Sequence, residues 1–144
     1  MEQACIFCQI VRGEAPASIV YEDDTVIAFL DAVPITPGHV LVIPRRHAAS
    51  LAALDPDDGR HVFNVAQRMT AVLRRSGIHC DAVNLLLNDG VEAGQRVFHI
   101  HMHVIPRWAN DNARMRRDPD EPAAPRKDLE AMAEQIRAAI PNGL

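Results

Sequence analysis

Residues 99–105 read His-Ile-His-Met-His-Val-Ile, three imidazoles at strict two-residue spacing with apolar residues between them. Two is the side-chain period of a β-strand. The spacing therefore predicts a strand with His99, His101 and His103 on one face and Ile100, Met102 and Val104 on the other. Same-face neighbours lie roughly 7 Å apart along such a strand. A wet histidine face with an apolar back is the wall of a site rather than ordinary core. One solvent-facing histidine on a half-exposed strand is unremarkable; three in succession argue for chemistry.

The rest of the pattern gives this strand its setting. Ser18–Tyr21 and Thr25–Asp31 read as a strand pair joined by the acidic turn Glu22-Asp23-Asp24, and the β-branched run His39–Pro44 follows a Pro/Gly breaker cluster as a third strand. The clearest helix comes next. Asp55 can cap it, Pro56 suits its first turn, Val62, Ala66, Met69 and Leu73 recur at helical spacing, and Gly77 fits its exit. Ala82–Asn88 reads as a fourth strand and Val97–Ile105 as the fifth, with residues 88–94 as a glycine-bearing connector. Residues 1–10 read as a short lead-in carrying Cys5 and Cys8, and residues 108–125 as an irregular crossing segment. Leu129, Met132, Ala133, Ile136 and Ile140 mark a C-terminal amphipathic helix, which Pro141-Asn-Gly ends. The expected fold is α+β: a five-stranded antiparallel sheet with a central helix and a C-terminal helix. Residues 1–108 form its core domain, and residues 109–144 pack on that same domain.

Bulk properties exclude several functions. A chain of 144 residues fits one domain, which buries about two-thirds of its unfolded surface. The net charge of -4 supplies no basic field for a nucleic-acid backbone, and the Arg pairs at 45–46, 74–75 and 116–117 are short and interspersed with acids. No apolar run is long enough for a bilayer, and the N-terminus lacks a basic-then-apolar export pattern. The expectation is a cytoplasmic protein with no membrane or nucleic-acid partner. In that compartment three cysteines mean metal, redox chemistry or core thiols rather than a disulfide framework.

Two chemistries suit a row of strand histidines. One is metal chelation, since residues i and i+2 on a strand can reach one ion; no carboxylate flanks the row within five residues to complete a hydrolytic centre. The other is nucleophilic attack on phosphorus by a neutral imidazole, giving a phosphorus–nitrogen intermediate that water opens. The surroundings favour the second. Gly94-Gln95 lies just upstream and can bring backbone N–H groups and an amide to an anion, and Asn88 adds another amide. The Cys5-x-x-Cys8 pair by itself fits zinc, a redox pair or two buried thiols. Cys80 has no matching partner.

The motif His99-Ile-His-Met-His-Val-Ile105 resembles the signature of the histidine triad (HIT) family of nucleotide hydrolases and transferases. Cys5-Ile-Phe-Cys8, Gly13-Glu-Ala-Pro16, Tyr21-Glu-Asp-Asp24, Phe29-Leu-Asp31, Pro37-Gly-His39, Val42-Ile-Pro44, His47 and Asn88…Gly94-Gln95 extend the likeness to bacterial members over residues 4 to about 108. The resemblance implies His101 as the nucleophile on the α-phosphorus of a purine nucleoside phosphoanhydride or phosphoramidate. His103 would steady the α-phosphate, and Gln95 joins these two in the catalytic set. Asn88, Gly94, Gln95 and His103 would contact phosphate oxygens or the leaving side, and Asp31 the ribose hydroxyls. Ile10, Phe29 and Leu30 would supply the apolar base contacts, with Phe7 a further candidate; read without the resemblance, such residues are ordinary core.

The resemblance also implies a structural zinc held by Cys5, Cys8, His47 and His99. The alternative is that the cysteines pack as small hydrophobes while His47 and His99 hydrogen-bond each other. His39 is expected to fix its loop, and His61 and His79 to lie on the surface. Family members pair as homodimers, which would let the tail after Trp108 reach the other subunit's site. One departure stands out: the position after Gly-Gln usually carries Ser or Thr, and here it is Arg96. The competing functions are a nucleotide-binding regulatory module with little physiological catalysis, and a metallohydrolase with its ion on the triad itself.

Overall fold

Side-chain alternation in two adjoining strands divides the core of this molecule into two layers. The computed structural model describes residues 4–115, 118–142 and 144. Five antiparallel strands, β1 (Ile19–Glu22), β2 (Val26–Leu30), β3 (Val40–Pro44), β4 (Ala82–Leu86) and β5 (Met102–Arg107), form one sheet in the order β1-β2-β3-β5-β4. Among the described residues three α-helices accompany it: α1 (Ile6–Val11), α2 (Pro56–Arg75) and α3 (Arg126–Ala139). The fold is α+β, as the sequence pattern predicts.

Every residue of β2 and β3 is buried. Val26, Ala28 and Leu30, with Val40 and Val42, enter the main core, where they meet Val62, Val65, Ala66, Met69, Val72 and Leu73 of α2 and Leu129, Ala133 and Ile136 of α3. The intervening Ile27, Phe29, Leu41 and Ile43 leave the opposite face and pack with Phe7 and Ile10 of α1. One helical layer covers one face, and α1 covers part of the other.

Local signals start and stop these elements. The Asp55 carboxylate caps α2 by accepting the Asp57 N–H at 2.8 Å, Pro56 occupies the first turn, and Asp57 and Asp58 sit at the positive end of the helix dipole. The helix stops at Arg75, with Gly77 just beyond in the left-handed region at φ +86°. The β1–β2 turn is built on Asp23, whose carboxylate accepts the Thr25 and Val26 N–H groups at 2.9 Å, the Tyr21 hydroxyl at 2.7 Å and His61 Nε2–H at 2.6 Å. His61 is thus a turn anchor rather than a plain surface residue. Burial alone would raise the Asp23 pKa; the hydrogen bonds outweigh it and hold the carboxyl well below the usual range. Tyr21 is pushed up to about 12 by burial and by Asp23.

Two expectations need correction. Residues 6–11 form a helix where the sequence reading predicts only a short lead-in, and Cys5 caps it unusually, its Sγ accepting the Cys8 N–H at 3.4 Å. The fifth strand covers Met102–Arg107, not Val97–Ile105. Residues 99–101 leave the ladder because their polar groups find other partners. The Ile100 N–H donates to the Ala48 carbonyl at 2.8 Å, and the His99 ring donates to the Pro44 carbonyl at 2.8 Å. Nor is the histidine face wet, since His99, His101 and His103 are all buried. Among the described residues, no helix is long and apolar enough to cross a membrane.

Candidate active site and metal centre

The bend before β5 splits the histidine row between two sites. His99 turns toward α1 and His47; His101 and His103 turn into a cavity of about 920 Å³.

At the first site, Cys5 Sγ lies 3.5 Å from His99 Nδ1, Cys8 Sγ lies 3.6 Å from the same nitrogen and 3.3 Å from His47 Nδ1, and the two Nδ1 atoms are 3.3 Å apart. A carbonyl oxygen only accepts, so the His99 bond to Pro44 places its proton on Nε2 and its lone pair on Nδ1, facing the cluster. Burial, more than the nearby His47 and His101, lowers the His99 pKa to about 4, which keeps the ring neutral at physiological pH. A tetrahedron with metal–nitrogen arms of about 2.05 Å and metal–sulfur arms of about 2.3 Å has N···N edges of about 3.3 Å and N···S edges of about 3.6 Å. The donor set fits tetrahedral zinc in chemistry and in size. The short α1 contributes both sulfurs, Cys5 as its cap and Cys8 one turn later.

At the second site, hydrogen-bond partners assign the tautomers. His101 Nδ1 donates to the His99 carbonyl at 2.7 Å, so Nε2 carries the lone pair. The Ile35 N–H donates to His39 Nδ1 at 3.0 Å, so the His39 proton resides on Nε2, 2.9 Å from His103 Nδ1 and 3.6 Å from the Asp31 carboxylate. His103 accepts at Nδ1 and carries its own proton on Nε2. An acceptor nitrogen and a donor N–H thus stand side by side, on rings whose centroids are 4.9 Å apart. Phe7 packs edge-on against His101 at 5.1 Å and 89°, limiting the rotation of that ring.

The cavity gathers most of the residues expected at a nucleotide site. Ile10, Phe29, Leu30 and Phe7 supply apolar wall, Asp31 lies at the end of β2, and Asn88 and Gly94 line the same cavity as His101 and His103. Asp31 also accepts the Val33 N–H at 2.9 Å, which fixes its carboxylate at the strand end. Gly94 adopts φ +93°, which closes the loop after the 3-10 turn Val91–Ala93 and which a side chain would strain. Arg96 is exposed and lines the cavity.

Gln95 is the exception. Its side-chain oxygen accepts the Gly90 N–H at 2.8 Å and its nitrogen donates to the Ala49 and Val97 carbonyls at 3.0 and 3.1 Å. The amide holds the connector together instead of facing the cavity. His39 fixes its loop as expected, by accepting the Ile35 N–H, but its link to His103, 64 residues away, is not legible in the sequence, and neither is the place of the tail, where Met115, Asp118, Pro119, Glu121 and Arg126 line this chain's cavity. No local pattern could reveal either, because both depend on which chain ends the sheet brings together.

The HIT domain profile matches residues 12–110. This chain belongs to the HIT family. An uncharacterized HIT-like protein of Mycobacterium tuberculosis is 40% identical over 141 residues, covering 94% of this chain and 97% of that protein. The solved structure of a zinc-bound histidine triad family protein from Mycobacterium smegmatis is 42% identical, with a TM-score of 0.83 over 96% of this chain and 94% of that one. Adenylylsulfatase HINT3 of Arabidopsis thaliana is 36% identical over 121 residues, 79% of this chain and 60% of that protein. The HIT family includes nucleotide hydrolases and transferases, and the Cys5, Cys8, His47, His99 cluster of this member parallels a relative that binds zinc.

Proposed function

We propose that this HIT protein is a hydrolase or nucleotidyl transferase acting at the α-phosphorus of purine nucleoside phosphoanhydrides or phosphoramidates, through a covalent nucleotidyl-His101 intermediate. The observation that carries this reading is the bond from His101 Nδ1–H to the His99 carbonyl at 2.7 Å. It holds the nucleophilic lone pair on Nε2 and stabilises the positive charge that the ring acquires as it attacks. In the first step the Nε2 lone pair forms an N–P bond while the bond from phosphorus to the leaving group breaks, and that group departs with the electron pair. Water then adds to phosphorus, the N–P bond breaks, and Nε2 recovers its lone pair; the leaving group or solvent takes the proton that water releases. His103, protonated on Nε2 through the His39 relay, donates to a non-bridging oxygen as negative charge builds there.

Asn88 and Gly94 serve the phosphate, Asp31 the ribose, and Ile10, Phe29 and Leu30 the base. Gln95 acts as a positioning residue for the Gly90–Gly94 loop. Zinc on Cys5, Cys8, His47 and His99 ties α1 to the bend that orients His101, and takes no part in the reaction. The molecule acts in the cytoplasm as a homodimer, pairing through the open edge of β4 and the exposed Phe63 of α2. Mass spectrometry on quenched reactions with AMP-linked substrates tests the mechanism. The expected result is a nucleotidyl adduct on His101 that is absent from His101→Asn; turnover by His101→Asn at the wild-type rate overturns it.

A further inference from the structure

We propose that residues 118–126, beyond the HIT domain proper, form the nucleobase wall of the substrate site, and that Arg126 is the side chain that reads the base. The inference rests on the reading of the cavity as a nucleotide site and adds to it a recognition element from the tail. Two bonds hold the segment at the β1–β2 end of the cavity. The Ala124 N–H donates to the carbonyl of Ala32, next to Asp31, at 2.8 Å. Arg126 Nη2 donates to the hydroxyl of the fully buried Ser18 at 2.9 Å.

That end is remote from the reacting histidines. The order β1-β2-β3-β5 puts three strand spacings, about 14 Å, between β1 and β5. With phosphorus at His101 and ribose at Asp31, the base of a bound nucleotide extends toward β1, where Ile10, Pro16, Ala17 and Phe29 make an apolar pocket. Arg126 gives this pocket a planar cation, suited to lying over a π-face or donating to the ring nitrogens of a purine. Arg126 opens α3 bonded to Ser18 and one turn before Glu130, whose carboxyl Arg137 and, more weakly, Arg126 hold below the usual range; these partners anchor the guanidinium at the rim of the cavity it lines.

Calorimetric titration with AMP and with ribose 5-phosphate, which lacks the base, tests the inference on the full chain. Wild type should bind AMP more tightly than ribose 5-phosphate. Arg126→Ala should weaken AMP about tenfold and leave ribose 5-phosphate unchanged, while Arg126→Lys, which keeps the charge and loses the planar fork, should fall between. Equal losses for both ligands, or no loss for AMP, overturn the proposal. A thermal melt of each variant verifies folding, and Ser18→Ala, which frees the guanidinium without removing it, should weaken AMP by less than Arg126→Ala. The outcome is separable from the mechanism: absence of any His101 adduct in wild type would sink the nucleotidyl-histidine reading, while the two-ligand comparison would still decide the role of Arg126.

Discussion

His39 offers two substitutions that separate its two hydrogen bonds. Its fully buried ring accepts the half-buried Ile35 N–H at Nδ1 and donates to His103 from Nε2. In His39→Asn the side-chain oxygen falls near the Nδ1 position and can still accept from Ile35, but nothing reaches His103. In His39→Gln the longer amide nitrogen falls near Nε2 and can still donate to His103, while the Ile35 contact is lost. If the relay fixes the His103 tautomer, His39→Asn leaves the proton of His103 to distribute between its two nitrogens and weakens the bond offered to the phosphate. A neutral buried hydrogen bond contributes about 1–1.5 kcal/mol, so transition-state stabilisation should fall by about that much, roughly tenfold in rate. The assay is the single-turnover rate of adduct formation on His101. His39→Asn should be about tenfold slow, and His39→Gln within about threefold of wild type but lower in melting temperature, because a half-buried N–H has lost its acceptor. Equal slowing of both variants would reduce His39 to a loop anchor. An unimpaired His39→Asn would refute the relay.

Three further outcomes follow from the structure. If zinc occupies the Cys5, Cys8, His47 and His99 site, a chelator should remove about one equivalent per chain by atomic absorption, lower the melting temperature and reduce the activity of the protein that stays folded; full activity in stably folded, metal-free protein would refute a structural role. Because the folded-state pKa of Asp23 is depressed, its contribution to stability is present above the ordinary carboxylate range and fades as pH drops below about 4. Asp23→Asn should therefore flatten the dependence of melting temperature on pH from about 4 down to about 2, and an unchanged slope would assign acid lability to other groups. Met69→Ala removes a side chain with no solvent exposure from the centre of α2 and should cost about 2–5 kcal/mol in denaturant unfolding, with His101 adduct formation retained.

What the sequence reveals, and what it hides, divides along physical lines. The α2 helix is legible because Asp55, Pro56 and Gly77 act on neighbours a few residues away, and the alternation in β2 and β3 is legible because two burial environments impose a period of two. Position 101 stands out in the sequence as well, since three histidines in a row suggest chemistry whatever their backbone does. The bend before β5 is not. A period of two permits a strand but does not require one, and His99 leaves the ladder because Pro44, Cys5, Cys8 and His47, all distant in sequence, compete for its ring. The same bend gives the site its chemistry. On a regular strand all three rings would share one face, and the His99 carbonyl would be committed to ladder bonding; off the strand, that carbonyl accepts from His101 and sets its tautomer. The residues proposed to hold zinc and the proposed nucleophile are therefore coupled through one residue, whose ring faces the sulfurs while its backbone orients the next histidine. Loss of the metal should disturb catalysis through the His99 backbone, even though no step of the reaction takes place on the metal.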